Sequence, residues 1–491
     1  MRTGQQYLHS LADDRTVFVH GERVADVRQH AAFRGITLTV ASLYDFAADP
    51  ANGMQFTAPE TGQPANRTFM IPRSVDDLRV RRVAISAWAE QTQGLLGRGP
   101  DHVAGFLAGF ASGTDVFARG RPAFAANVTR WYRRLLEEDC YFTYVIIPPQ
   151  VDRSKTAQGQ EEAFLQAGVL REEADGIVIR GAQMLGTGSA VSNYLFVSCI
   201  VPQRPGDEDY ALSFIVPIGA HGLKLYCRPP YALGKPSMYD YPLSTRFDET
   251  DALIVFDDVL VPWDNVFVYR DVDLTRAQFF ETPAHALGNT QAQIRLATKL
   301  KFLIGIARKI AATNRIDVLP SVQEKLGDLA SLAAFVEGMV LAAEATSKPD
   351  RNGVQVPNRR FLYAPMGMQA EFFPRAIHLL RELAGGGVLQ VPSSVEELTN
   401  PATRPDIQRY VRSTGVPSEE RIKLFRLAWD LIGSEFGGRH QQYEMFYAGA
   451  PYVAKGYAFR NYGYEEALTL VDSFLDSYDV NTPAPAALQE A

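Results

Sequence analysis

Cysteine is scarce: Cys140, Cys199 and Cys227 are the only three in 491 residues. That is too few for a disulfide framework, and a reducing, cytoplasmic setting is expected. No stretch comes near the roughly eighteen uninterrupted apolar residues that span a bilayer, and residues 1–7 lack the apolar core of a signal peptide. No membrane role is expected. Positive charge is not in excess either. Lys and Arg number 49 against 56 Asp and Glu, net −7, which leaves no basic field for nucleic acid. The chain has no GxGxxG after a strand pattern, no GxxxxGK[ST] and no GxSxG. Those absences exclude a written Rossmann site, a P-loop and a nucleophile elbow. The eight histidines (His9, His20, His30, His102, His221, His285, His378, His440) stand apart from one another and from cysteine, so no metal site is expected.

What is present is an ordinary globular composition, 46% hydrophobic and 21% charged, at a length suited to one large enzyme subunit or two to four domains. Residues 1–138 read as mainly helical. Ser74 followed by Asp76 and Asp77 opens an apolar-periodic run through Leu78, Ile85, Trp88 and Leu95. Gly94, Gly97 and Gly99-Pro100 then interrupt it, placing Arg98 and His102 in a turn or at the start of the next helix, where side chains can face a cavity. Residues 139–270 carry short β-branched and aromatic runs at 176–180, 194–201, 210–218, 223–228, 252–256 and 265–270. With no helical pattern between them, they predict an antiparallel sheet or barrel. The polar loop 202–209 has the reach of a lid. Residues 271–480 read as long helices, at 291–313, 322–346, 367–384, 418–434 and 464–477. Their broad apolar faces call for a bundle completed by oligomerisation. Residues 481–491 read as a frayed tail. The fold class is α+β.

Several strings are more specific. They are LLGRGPD at 95–101, CYFTYVIIPPQVDRSK at 140–155, YDYPLSTRFDET at 239–250, VFDDVLVPWDNVFVYRD at 255–271 and WDLIGSEFGGRHQQYE at 429–444, with GERVADV at 21–27. In this order they resemble the large oxygenase component of the 4-hydroxyphenylacetate 3-monooxygenases, from about residue 3 to 480. The resemblance implies an acyl-CoA-dehydrogenase-like fold with helical, β and helical parts in sequence, and a homotetramer. It implies a separate NAD(P)H:flavin reductase that supplies FADH2, which the missing Rossmann signature suits. It also implies O2 as co-substrate and transfer of one oxygen atom, through a flavin C4a-hydroperoxide, to the ring carbon ortho to a phenol hydroxyl.

The same resemblance assigns roles. Arg98 matches the arginine that meets the phenolic oxygen. Two positions depart from the family: His102 stands where many members carry tyrosine, and Tyr144 where many carry histidine. The pair is expected to have exchanged places, with His102 as base or proton shuttle and Tyr144 orienting the substrate. Ser192 and Asn193 are expected at the far end of the substrate. Pro149, Gln150, Asp152 and Arg153 are expected along the flavin ring, and Thr187 and Ser189 near its N5, with Gly186 and Gly188 admitting the backbone. Gly386, Gly387, Phe436, Gly437, Arg439 and His440 are expected at the pyrophosphate and adenosine. Read without the family, Gly437-Gly438 would be a helix C-cap. Trp263 is expected in the core. Rival readings are an oxygenase acting on a carrier-tethered tyrosine, an indole, a pyrrole or a nitrogen centre, and a flavin dehydrogenase of the acyl-CoA type.

Overall fold

The computed structural model describes residues 1–235 and 237–482. Its first part is mainly helical. Ser74 caps the helix Val75–Gln91 by accepting from the Asp77 amide at 3.1 Å. After a turn, Pro100 sits in the first turn of the helix Pro100–Ala111, where its missing N–H costs nothing. The helix Pro122–Glu138 follows.

The strand patterns fold into two facing sheets. One has the order Glu22–Arg23, Thr16–Val19, Leu223–Cys227, Ala252–Pro262, Gly176–Gln183, Gly168–Glu172. The other runs Val266–Tyr269, Leu212–Pro217, Tyr194–Val197, Phe142–Val145. Phe214 and Phe256, one from each sheet, meet edge to face at 6.0 Å in the core between them. Two pairings are parallel rather than antiparallel: Thr16–Val19 with Leu223–Cys227, and Phe142–Val145 with Tyr194–Val197. The first arises because a strand from the N-terminal region is recruited to the middle sheet. The second arises because the chain builds two strands of the opposite sheet before it returns. Neither is visible in a window of local pattern.

Two of the C-terminal helices are longer than their patterns suggested, whereas Ser418–Ile432 and Glu465–Leu475 are shorter. Ala284–Thr313 begins seven residues before 291, right after Pro283. Arg359–Ala384 begins eight residues before 367 and continues through Pro365 and Pro374. The glycines at 437 and 438 do not end a helix. Ser434 accepts from the Gly437 amide at 3.1 Å, which makes them the first turn of Glu435–Phe446. A Cβ at Gly437 would lie 2.3 Å from the Leu431 carbonyl, so this helix folds tightly back on Ser418–Ile432. Trp263 is half-buried and packs against the rim of the core, with the Arg121 guanidinium 4.9 Å from its ring.

The contact that matters most for the site joins Pro100–Ala111 to Ala284–Thr313. A Cβ on Gly109 would meet Ala284 Cα at 2.2 Å, and one on Gly288 would meet the Phe106 ring at 2.2 Å. Bare backbones therefore let the two helices approach closely enough for their side chains to bond across. Two helices leave apolar surface uncovered. Pro320–Ala345 reaches a mean hydropathy of 1.6 with 22% of that window buried, although Glu337 interrupts any continuous apolar run. Glu465–Leu475 has no buried residue at all, and Leu470 and Phe474 are 75% and 68% exposed.

Candidate active site

Arg98 lies in the turn between two helices, 9% exposed. Its backbone is fixed from both sides. The amides of Gly97 and Arg98 donate to the Glu249 carboxylate at 2.7 and 2.5 Å, and the Arg98 carbonyl accepts from Tyr141 Oη at 2.6 Å. Its guanidinium carbon stands 4.8 Å from the Tyr144 ring centre, 4.9 Å from Tyr447 and 5.3 Å from Tyr443. Aromatic faces of this kind attract a cation, the more so when water is excluded. Burial alone would oppose the charge, but the phenols of Tyr144, Tyr443 and Tyr447 and the Glu249 carboxylate hold the guanidinium's pKa above its ordinary value.

Arg98 Nη1 stands 2.9 Å from His102 Nε2, one helical turn on. The His102 ring is 5.3 Å from Tyr144 and 6.1 Å from Tyr447. Its other nitrogen, Nδ1, is 3.1 Å from Gln291 Oε1, and Gln291 Nε2 donates to Asp101 Oδ1 at 3.1 Å. Burial, and after it the Arg98 charge, push the His102 pKa well below 6.5, so the free imidazole is neutral. Arg98, His102 and Tyr144, named from the sequence, thus stand in one cluster. Tyr443, Tyr447, Glu249 and Gln291 complete it and went unnamed.

Helix Glu435–Phe446 is anchored by buried charge. Glu444 accepts two bonds from Arg295, at 2.7 and 2.8 Å, one from Lys299 at 2.8 Å and one from Gln369 at 2.7 Å. Burial opposes its ionisation, yet Arg295 and Lys299 bring the carboxyl pKa down to about 2. Burial pushes Lys299 down to about 8, against the pull of Glu444. Arg295 also donates to the Gly94 carbonyl at 2.8 Å, which ties this cluster to the turn that carries Arg98.

The other sequence-named residues fall in several places. Arg439 grips Asp251 at 2.7 and 3.1 Å, and Asp251 also takes Arg228 at 2.9 Å and Thr187 Oγ1 at 2.5 Å. Burial disfavours the Asp251 charge, but Arg439 and Arg228 hold its pKa well below the carboxylate range. The Arg439 fork is thus largely taken by a carboxylate rather than left open for a phosphate. His440 is buried against Phe436 and has Nδ1 2.9 Å from Lys299 Nζ. Ser189 donates to the Gly186 carbonyl at 2.7 Å, on the same loop as Thr187.

Ser192 is buried against Thr143 at 3.2 Å. Asn193 turns away from the Arg98 cluster: it binds Arg2 at 2.8 Å, Ser10 at 2.9 Å and the Tyr141 amide at 3.1 Å, so its side chain fastens the N-terminal segment. The 149–153 segment is a surface loop from Pro149 to Arg153; Gln150 is exposed and Asp152 binds Ser154. Loop 202–209 is held down through Asp207, which accepts from the Gln158 amide at 2.8 Å and the Arg204 amide at 3.0 Å. Gly386 and Gly387 lie in the turn after Arg359–Ala384; Gly386 is exposed, whereas Gly387 is half-buried and a Cβ there would strike Phe425 at 2.4 Å.

Comparison with known proteins adds the family. Residues 3–268 match the profile described as "4-hydroxyphenylacetate 3-hydroxylase N terminal", and residues 275–476 match "4-hydroxyphenylacetate 3-hydroxylase C terminal". The chain is 35% identical to the 4-hydroxyphenylacetate 3-monooxygenase oxygenase component of Pseudomonas aeruginosa, over 98% of this chain and 93% of that protein. It is 36% identical to a Streptomyces globisporus monooxygenase named for a (3S)-3-amino-3-(3-chloro-4-hydroxyphenyl)propanoyl group on a peptidyl-carrier protein, over 91% of this chain and 85% of that one. It superposes with a TM-score of 0.92, at 31% identity and over 97% and 99% of the two chains, on the oxygenase component of 4-hydroxyphenylacetate 3-monooxygenase crystallised with FAD and 4-hydroxyphenylacetate. With both profiles and these identities spanning nearly its whole length, the chain belongs to the 4-hydroxyphenylacetate 3-hydroxylase family.

Proposed function

We propose that this chain is the oxygenase component of a two-component monooxygenase, inserting one oxygen atom of O2 into a para-substituted phenol, ortho to its hydroxyl, with reduced FAD. The observation that carries this reading is the buried Arg98 cation, boxed by Tyr144, Tyr447 and Tyr443 with His102 Nε2 at 2.9 Å. A phenol is activated toward an electrophilic oxygen by losing its proton, because the phenolate directs electron density to the ortho carbon. A fixed, desolvated cation stabilises that phenolate far more than water would. His102 is neutral in the free site and carries its lone pair on Nε2, the atom that takes the phenol proton when the substrate hydroxyl reaches Arg98. Tyr144 packs beside both and orients the ring.

The residues present fit FAD. Thr250 Oγ1, Arg439 Nη1, His440 Nε2 and Tyr443 Oη are buried without a hydrogen-bond partner, on the helix Glu435–Phe446 and the loop it grips. Such orphans suit a ligand rich in phosphate and carbonyl oxygens. Asp251 already holds two nitrogens of Arg439 and Glu249 stands 3.5 Å from the third, so Arg439 would brace this helix while His440 Nε2 and Thr250 Oγ1 would meet the ligand. Thr187 and Ser189 donate to Asp251 and Gly186, so their oxygens can accept from ring N–H groups. Bound reduced FAD would supply the two electrons that activate O2, from which the transferred oxygen atom comes. The clustered tyrosines exclude water from the reacting atoms.

A separate reductase, a homotetramer and a cytoplasmic setting belong to the same proposal. The uncovered faces of Pro320–Ala345 and Glu465–Leu475 support the oligomer, and three unpaired cysteines support the reducing compartment. The relative from Streptomyces globisporus favours a second substrate reading, a phenol tethered to a carrier protein. The test supplies reduced FAD from an NADH-driven flavin reductase under 18O2, with free and carrier-linked phenols, and reads products by mass. One 18O atom in a catechol is expected, and Arg98→Ala should lower turnover by at least about 100-fold. Hydrogen peroxide as the only product on every phenol would refute the reading.

A further inference from the structure

The hydrogen bonds around His102 contain more information than its distance from Arg98. An arginine guanidinium is a donor only and does not lose its proton in a protein. His102 Nε2, 2.9 Å from Arg98 Nη1, must therefore present a lone pair. Independently, Gln291 Nε2 lies 3.1 Å from Asp101 Oδ1. Burial pushes the Asp101 pKa up to about 6, so above that pH the group is a carboxylate. An amide oxygen turned toward it would set acceptor against acceptor, and the Gln291 NH2 faces Asp101 while its carbonyl faces His102. That carbonyl, 3.1 Å from Nδ1, demands a proton there. The two constraints come from opposite sides of the ring and select the same tautomer.

We propose that Gln291, oriented by Asp101, is a positioning residue that locks His102 as the Nδ1–H tautomer and so keeps the Nε2 lone pair aimed at Arg98 and the substrate hydroxyl. The proposal rests on the functional reading above for its use of Nε2, but not for the tautomer itself. It also gives the close helix contact a purpose, because Gly109 and Gly288 bring Gln291 within reach of the neighbouring helix. A histidine free to exchange tautomers would spend part of its population with Nε2 protonated. In that form it opposes Arg98 donor to donor and cannot accept the phenol proton. The relay is held in a buried setting: Asp101 is 5% exposed, Gln291 2% and His102 fully buried. The charged and titratable groups facing it are Arg98 from the turn, Arg295 from the Gln291 helix, Arg81 toward Asp101, Tyr144 from the sheet and Tyr447 from the C-terminal side.

The test has a spectroscopic arm and a kinetic arm. In full-length protein carrying ring-15N histidine, solid-state NMR separates protonated from bare ring nitrogens, and a His102→Gln sample identifies the His102 signals by difference. The wild type should show Nδ1 protonated and Nε2 bare. Gln291→Leu removes the acceptor and should give mixed tautomers, with kcat lowered roughly 10- to 100-fold and KM within about twofold. Asp101→Asn can present either end of its amide to Gln291, so it too should give mixed tautomers. The double variant Asp101→Asn with Gln291→Glu keeps an acceptor at Nδ1, lets the Asn amide donate to it, and moves the negative charge from Asp101 to beside the ring. It should retain the single tautomer, recover kcat relative to Gln291→Leu, and move the acid limb of kcat/KM to higher pH, because a carboxylate favours the imidazolium. A packing role alone would not move that limb.

A wild-type spectrum with Nε2 protonated overturns the proposal, as does Gln291→Leu with an unchanged tautomer and unchanged kcat. The spectrum needs no substrate. The expected tautomer in a protein that hydroxylates no phenol would support the relay and refute only the functional reading.

Discussion

Replacing Glu444 with glutamine removes one negative charge from a cluster in which Arg295 is 2%, Lys299 1% and Glu444 0% exposed at the side chain. The cost follows from the carboxyl's own titration. Its pKa drops from the usual 4.5 to about 2 on folding, a difference worth about 3 kcal/mol at neutral pH. A depressed carboxyl contributes this stability fully above pH 4.5 and loses it as pH falls through about 2. Removing one partner of a buried ion pair costs about 3–5 kcal/mol by independent reckoning, and the two figures agree. The loss stays near the lower one because Lys299, already brought down to about 8, sheds its proton once Glu444 is neutral. Arg295 cannot do the same. Lys299→Met should therefore cost less than Glu444→Gln, since the bidentate Arg295–Glu444 pair at 2.7 and 2.8 Å survives. Urea denaturation at pH 7.5, followed by circular dichroism, measures both. A loss under about 1 kcal/mol for Glu444→Gln, or a larger loss for Lys299→Met, would refute the reasoning. Activity should fall with stability in Glu444→Gln, because the same helix carries Tyr443 against Arg98.

Two further outcomes are expected. His285 is buried beside Tyr363 and Tyr457, and burial, then Arg359 and Arg460, push its pKa down to about 3. Its neutral form is therefore free of penalty above about pH 6.5, and stability falls as pH drops below that toward 3. In His285→Phe the loss between pH 7.5 and 5.5 should be smaller than in the wild type by about 1.4 kcal/mol; equal losses would contradict the assignment. Gly188 has φ +73°, and a Cβ there would stand 2.9 Å from Tyr141 Oη, the donor to the Arg98 carbonyl. Gly188→Ala should lower stability by about 1–3 kcal/mol and reduce turnover together, whereas a neutral melting temperature would show that the loop relaxes freely.

Local sequence features carried some of this site and missed the rest for identifiable reasons. Arg98 and His102 were legible because the glycines and Pro100 punctuate the helix between Trp88 and Val103, and the helix Pro100–Ala111 starts where that punctuation ends. Tyr144 was legible through a string of unusual composition. Tyr443 stood inside a quoted string, but two glycines before it suggested a helix end, and Ser434 as a cap was overlooked. Gln291 gave no local signal, since a glutamine on an apolar helix looks like a solvated position until its neighbour is known. A signal did exist for the carboxylates. Asp248, Glu249 and Asp251 lie within four residues just before a strand, and acids so placed next to a core need buried arginines; Arg228 and Arg439 are those partners. The partners of the Asn193 side chain, Arg2 and Ser10, are remote in sequence, so no local pattern could show them.

The box around Arg98 has a temporal consequence. Its cation comes from the first quarter of the chain, Tyr144 from the next, and Tyr443 and Tyr447 from near the other end. On the ribosome, the N-terminal helices and both sheets can be complete while the walls of the site are still unsynthesised. A nascent chain in that condition lacks the helix that carries Arg439 and His440 and the tyrosines that shut out water. The closed form of the site therefore exists only once residues 435–447 have been made, and a chain that stops before them lacks two of the three aromatic walls around Arg98.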